Sequence, residues 1–173
     1  MAITLEKFAA DCHAALTAAP GPEGREKVRE LVQQALADPG FVASYIPVGV
    51  PERHVLYEDA ELGFTILAHG YVGAKSSKPH DHGPSWAIYG QAAGETIMTD
   101  WQCITRPTEG KPGTAAHLRD YVMKPGDAYL YDIGVLHSPE RKGDTRLLRI
   151  EGLNMATVKR FPYEAIPLTQ AAE

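Results

Sequence analysis

Pro79-His80-Asp81-His82-Gly83 sets two imidazoles two residues apart. In an extended chain residues i and i+2 face the same side, so both rings can converge on one point. Imidazole nitrogen is a good ligand for iron, nickel, copper and zinc. An H-x-H pair alone is weak evidence, because chance puts histidines at that spacing on solvated surfaces. Seven histidines occur in all. His137 stands alone after the turn Lys124-Pro125-Gly126-Asp127 and the apolar run Ala128–Tyr131. His13 reads as an ordinary helix residue and His117 as a surface one. His54 and His69 read as satisfied or exposed, with His69 a pocket candidate because its strand precedes the pair. A second group is Leu147-Leu148-Arg149-Ile150-Glu151, where alternation puts Leu147, Arg149 and Glu151 on one face of a strand.

The elements that must position these groups fall into two kinds. Leu5, Phe8, Ala9, Cys12 and Leu16 follow one helix face, with Thr4 placed to cap it. Ala-Pro-Gly-Pro breaks that pattern, and Val28, Leu31, Val32, Ala35 and Leu36 form the stripe of a second helix, ended by Asp38-Pro39-Gly40. From about residue 53, short runs rich in Val, Ile, Thr, Tyr and Phe alternate with Gly, Pro and Asp clusters. The expected strands are Gly63–Val72, Ser77–His82, Ser85–Tyr89, Glu95–Cys103, His117–Met123, Asp127–Tyr131 and Thr145–Leu153. Helices first and strands afterwards predict a mainly β fold, an antiparallel sheet closed or sandwiched with the helices outside. No repeat, linker or low-complexity tract divides the chain. We expect one domain over 1–173, with a helical segment over 1–45 and a β-barrel over 53–155.

At 173 residues such a domain buries a real core without a structural metal, so a metal here is free to be functional. The formal charge of -5 and the absence of Lys/Arg-rich runs argue against nucleic acid or an anionic membrane as partner. No apolar stretch approaches the ~20 residues of a membrane span, and the N-terminus lacks the pattern of a secretory signal. The two cysteines, Cys12 and Cys103, form no CxxC motif and are expected as reduced thiols. The expected location is cytoplasmic, a compartment that also suits a ferrous ion.

An H-x-H strand, a Pro-Gly-Asp turn, an apolar strand and a lone histidine about ten residues on resemble the two-part signature of the cupin superfamily. That resemblance implies a double-stranded β-helix that brings the two strands face to face, so that His137 completes a metal site with His80 and His82. Cupins commonly add a glutamate four or five positions after the second histidine. Trp86 and Ala87 stand there and cannot coordinate, while Glu95 reads as a surface residue. A neutral three-histidine set leaves coordination positions open for substrate and dioxygen, whereas a structural site would more often be closed by four protein ligands.

The order of elements resembles the cysteine dioxygenase and thiol dioxygenase branch of the cupins, from about residue 25 to about residue 155. The resemblance implies iron(II), dioxygen as co-substrate and oxidation of a thiol to a sulfinate. It also places an arginine ahead of the first metal strand to bind a substrate carboxylate, a position near Arg53. Two departures follow. Ala87 stands where some members carry a cysteine cross-linked to tyrosine. Arg149 and Glu151 replace the histidine and tyrosine of the family's Ser-x-His-x-Tyr run, which makes cysteine itself a doubtful substrate.

If that face turns into the barrel, Arg149 or Arg53 would anchor an anionic substrate group, and Glu151 would orient Arg149 or act as a base. Trp86 and Tyr131 are expected to line the substrate cavity. Iron(II) is the expected metal, with nickel, zinc, manganese or copper as substitutes in a purified sample. The competing reactions are C–C cleavage of a diketone or aromatic acid, and non-oxidative metal binding. The expected assembly is a monomer or homodimer.

Overall fold

A computed structural model describes residues 3–167. The Thr4 hydroxyl accepts from the Lys7 amide and starts α1, Leu5–Ala18, whose buried stripe is Phe8, Ala9, Cys12 and Leu16. Pro22 opens α2, Pro22–Leu36, which buries Val28, Val32 and Ala35. Asp38-Pro39-Gly40 ends α2 as expected, but it also begins a helix that the stripe pattern had not revealed. The Asp38 carboxylate caps α3, Pro39–Tyr45, by accepting from the Gly40 and Phe41 amides.

The strands are β1 His54–Glu58, β2 Thr65–Tyr71, β3 Lys75–Ser76, β4 Ala87–Ala93, β5 Thr96–Thr105, β6 Gly113–Met123, β7 Ala128–Tyr131, β8 Leu136–Arg141, β9 Thr145–Glu151 and β10 Tyr163–Ile166. They form one sheet in the order β1-β2-β9-β4-β7 and another in the order β10-β6-β5-β8-β3. Strands β2 to β9 thus wind between two sheets in the interleaved order of a jelly roll, the double-stranded β-helix. All pairings among them are antiparallel, and β10 joins β6 in parallel at the edge.

Alternation sorts each strand into two environments. On β9, Leu148 and Ile150 turn outward into the cluster with Phe8, Val28, Val32 and Phe41 of the helices. Leu147 turns inward with Ala87, Tyr89, Met98 and Tyr131. Gly90 lets α2 lie close on β4: a Cβ there would sit 2.5 Å from Val32 Cγ1. The helices therefore cover one sheet from outside.

Three expectations need correction. Ser77–His82 is not a strand, because Pro79 and the Gly83-Pro84 pair interrupt it; His80 makes only an isolated antiparallel bridge to His137. Leu136–Arg141, unassigned from the sequence, is a full strand. Trp86 does not line the interior: it packs into the outward cluster with Ile88, under the Arg25 guanidinium 6.0 Å from its ring centroid.

Both cysteines are free thiols, Cys12 buried and Cys103 exposed. Burial, aided by Asp11, pushes the Cys12 thiol up to about 12. One thiol should therefore react with a disulfide reagent in the folded protein, and the second only after denaturant is added. Rapid reaction of both in the native state would contradict this packing.

Candidate metal centre

The Nδ1 or Nε2 atoms that His80, His82 and His137 can offer lie within 4.8 Å of one another. Backbone hydrogen bonds run both ways between His80 and His137, at 3.0 Å each, and hold the H-x-H loop against the start of β8. Convergence thus comes from a loop clipped to a strand, where the pleat of a single strand had been expected. His80 Nδ1 lies 2.9 Å from the Lys78 carbonyl and His137 Nδ1 3.2 Å from that of Val135. A carbonyl can only accept, so both Nδ1 atoms carry hydrogen and both Nε2 atoms carry the lone pair.

His82 differs. Its Nε2 lies 3.0 Å from Arg149 Nη2 and 3.1 Å from the Tyr89 hydroxyl, while its Nδ1 is buried without a hydrogen-bond partner among the described residues. Nitrogens bound to a zinc-like ion sit about 2.1 Å from it and hence roughly 3–3.5 Å apart. The observed spread is wider than that but still groups the three side chains closely enough that they could hold a divalent ion. Burial is the main cause that lowers the pKa of all three; His80 falls to about 4, and the His82 and His137 pKa values are pulled well below the usual histidine range. The rings are neutral at pH 7, as ligation requires.

Tyr89 comes from β4 and points inward. Its hydroxyl also lies 3.4 Å from His137 Nε2, so it faces two of the three histidines. Burial raises its pKa and keeps it a hydrogen-bond donor. Tyr131 stacks on His137 with ring centroids 3.9 Å apart, and its hydroxyl shares a 2.8 Å hydrogen bond with that of Tyr121. It was expected to touch substrate, but the structure places it as a wall behind His137.

Arg149 and Glu151 both turn inward. The Arg149 guanidinium lies 4.6 Å from the Tyr89 ring centroid. Its Nε is 3.2 Å from Glu151 Oε1, within ion-pair range but off hydrogen-bond alignment. Glu151 is fully buried. It accepts from Arg53 Nη1 and Nη2 at 3.0 Å each and from the Met155 amide at 2.9 Å. Burial pushes the Glu151 carboxyl up, but Arg53, Arg149 and the Met155 amide outweigh it, so the pKa is lowered. A carboxylate so occupied is a poor proton acceptor; its geometry is that of a brace for two arginines. Arg53 also donates to the Asn154 side chain at 2.8 Å and does not line the cavity. It was expected to contact substrate; in the structure its guanidinium is spent on Glu151 and Asn154.

A cavity of about 490 Å³ opens beside His80, lined among others by Tyr71, Tyr89, Arg141, Arg149 and Arg160. Arg141 and Tyr71 were not singled out from the sequence. Arg141 lies in Pro139-Glu140-Arg141-Lys142-Gly143-Asp144, which reads as a solvated turn. The only available signal was that His137 and Arg141 share a strand face once β8 is recognised. Of the other histidines, His69 is buried, bonded through Nδ1 to the Tyr71 hydroxyl at 3.2 Å, and its pKa falls to about 3, chiefly through burial. His54 and His117 are exposed.

No protein-family model matches the chain, and no curated protein matches it in sequence. Solved structures of similar shape include a cupin superfamily protein from Desulfitobacterium hafniense, at 14% identity over 59% of this chain and 76% of that one, TM-score 0.43. Another is a cupin-2 domain protein from Shewanella frigidimarina, at 15% identity over 57% and 76%, TM-score 0.41. KdgF from Halomonas sp. matches at 14% identity over 57% and 74%, TM-score 0.43. Likeness at this level carries no inference about chemistry. The strand order itself defines a double-stranded β-helix, and the cluster sets three histidines where they could hold a divalent ion. No helix among the described residues is long and apolar enough to cross a membrane.

Proposed function

We propose that this protein is a non-haem iron(II) dioxygenase of a small organic anion, with oxidation of a thiol to a sulfinate as the first reaction to test and cysteine itself a poor substrate. One observation carries this reading: a cluster of three neutral histidines, with no carboxylate among its members, beside a cationic cavity. Iron held there supplies the place where dioxygen is taken up and reduced. The chain's own residues do the rest. Arg149 presents its guanidinium to an anionic group of the substrate, and Glu151 with Arg53 holds Arg149 in place. The Tyr89 hydroxyl offers a proton donor next to His82 and His137. In thiol oxidation both atoms of dioxygen enter the sulfinate, RSH + O2 giving RSO2H, and no outside reductant is required.

The test is metal analysis of anaerobically purified protein, then oxygen uptake with carboxylate-bearing thiols, diketones and hydroxylated aromatic acids. The expected outcome is iron stoichiometric with the chain and uptake with a thiol. Uptake with a diketone or aromatic acid alone would shift the reaction to C–C cleavage. Stoichiometric iron with no uptake for any compound would overturn the oxygenase reading.

A further inference from the structure

Arg141 is a buried cation with nothing to bind. Only 5% of it is exposed, and among the described residues its side chain makes no hydrogen bond or ion pair. Its Nε is sealed from solvent without a partner, while the side chain lines the cavity. A guanidinium carries five donors and cannot shed its charge. Leaving it without a counter-charge in the interior costs free energy that an anionic ligand would recover. The Tyr71 ring lies 4.1 Å from the guanidinium carbon and gives it a platform. Glu52, the one carboxylate on the cavity wall, is taken by Lys75. Arg149, by contrast, already has Glu151 and sits against His82.

His137 and Arg141 lie on the same face of β8, four residues and therefore about 13 Å apart along the strand. The cavity thus has one cationic fork against His82 and a second on the Tyr71 ring. We propose that Arg141 is the anchor for a second anionic group, so that the substrate is a small dianion such as a dicarboxylate, with one anionic end at Arg149 and the other at Arg141 on Tyr71. This rests on the metal-site reading for the first end only.

Binding is measured by calorimetry on the metal-loaded protein without oxygen, using succinate, glutarate and adipate against butyrate, pentanoate and hexanoate. At one chain length or more, the dicarboxylate should bind at least roughly tenfold tighter than its monocarboxylate counterpart. Arg141→Gln should erase that preference; Arg141→Lys, which keeps the charge and loses the fork, should retain part of it. Equal affinity for both series in the unaltered protein overturns the proposal, whether or not Arg141→Gln folds. So does a preference that survives in a folded Arg141→Gln variant. Failure of the oxygenase reading looks different: the dicarboxylate preference persists while oxygen uptake is missing.

Discussion

Replacing His137 with alanine is expected to lower divalent-metal affinity by more than about 100-fold, since losing even an outer partner of a ligand commonly costs 10–100-fold. The fold should survive the change. The link between His80 and His137 is made by backbone groups in both directions, and alanine keeps both hydrogen bonds. The ring itself is fully buried, is stacked on Tyr131 and faces Tyr89. Its removal leaves a hole and some loss of stability, but the β5–β8 pairing is untouched. Competition against a chromophoric chelator, with circular dichroism as the folding check, separates the two effects. A folded variant that binds iron or zinc as tightly as the parent would mean the ion sits elsewhere.

Glu151 gives the second large effect, on stability. The carboxylate is fully buried and braces Arg53 and Arg149. Glu151→Ala strands both guanidinium groups, and breaking a buried pair of this kind costs about 3–5 kcal/mol. Glu151→Gln keeps the shape and one acceptor and should cost less. The pH dependence has a definite sign. The folded-state pKa of Glu151 is lowered below the ordinary glutamate value of 4.5. Its contribution is therefore fully present above that value and is lost as pH falls through the folded pKa. Urea melts at pH 7 and at successively lower pH read both points. The gap between parent and Glu151→Gln should narrow in acid. A gap that widens in acid would falsify the assignment.

The cluster was legible because its ligands sit in a compact local pattern, H-x-H, and because His137 follows a turn and an apolar strand. The barrel was legible for a similar reason: runs such as Thr65–Tyr71 and Thr145–Glu151 carry β-branched and apolar residues between clear turns. Strand β8 escaped because Leu136-His137-Ser138-Pro139-Glu140-Arg141 is mostly polar. It is nonetheless buried at His137 and Arg141, which face a polar interior. Trp86 was misplaced by parity. Trp86 and Tyr89 are an odd number of residues apart and cannot share a strand face; Tyr89 faces the histidines, so Trp86 faces the helices. The brace between Arg53 and Glu151 joins residues remote in sequence, and neither residue type alone announces the other.

Strand β9 lies between β2 and β4 in its sheet. On a ribosome, β2 and β4 emerge long before the strand that must separate them. Until Thr145–Glu151 arrives, the sheet beneath α1 and α2 lacks its middle, and its apolar face has no complete surface to pack on. The N-terminal part should therefore not reach a stable fold of its own, and assembly waits on non-local pairing, which is intrinsically slow. The same late strand delivers Arg149 and Glu151 to the histidines. A nascent chain stalled before β9 should remain sensitive to protease and gain protection only once that strand has cleared the exit tunnel.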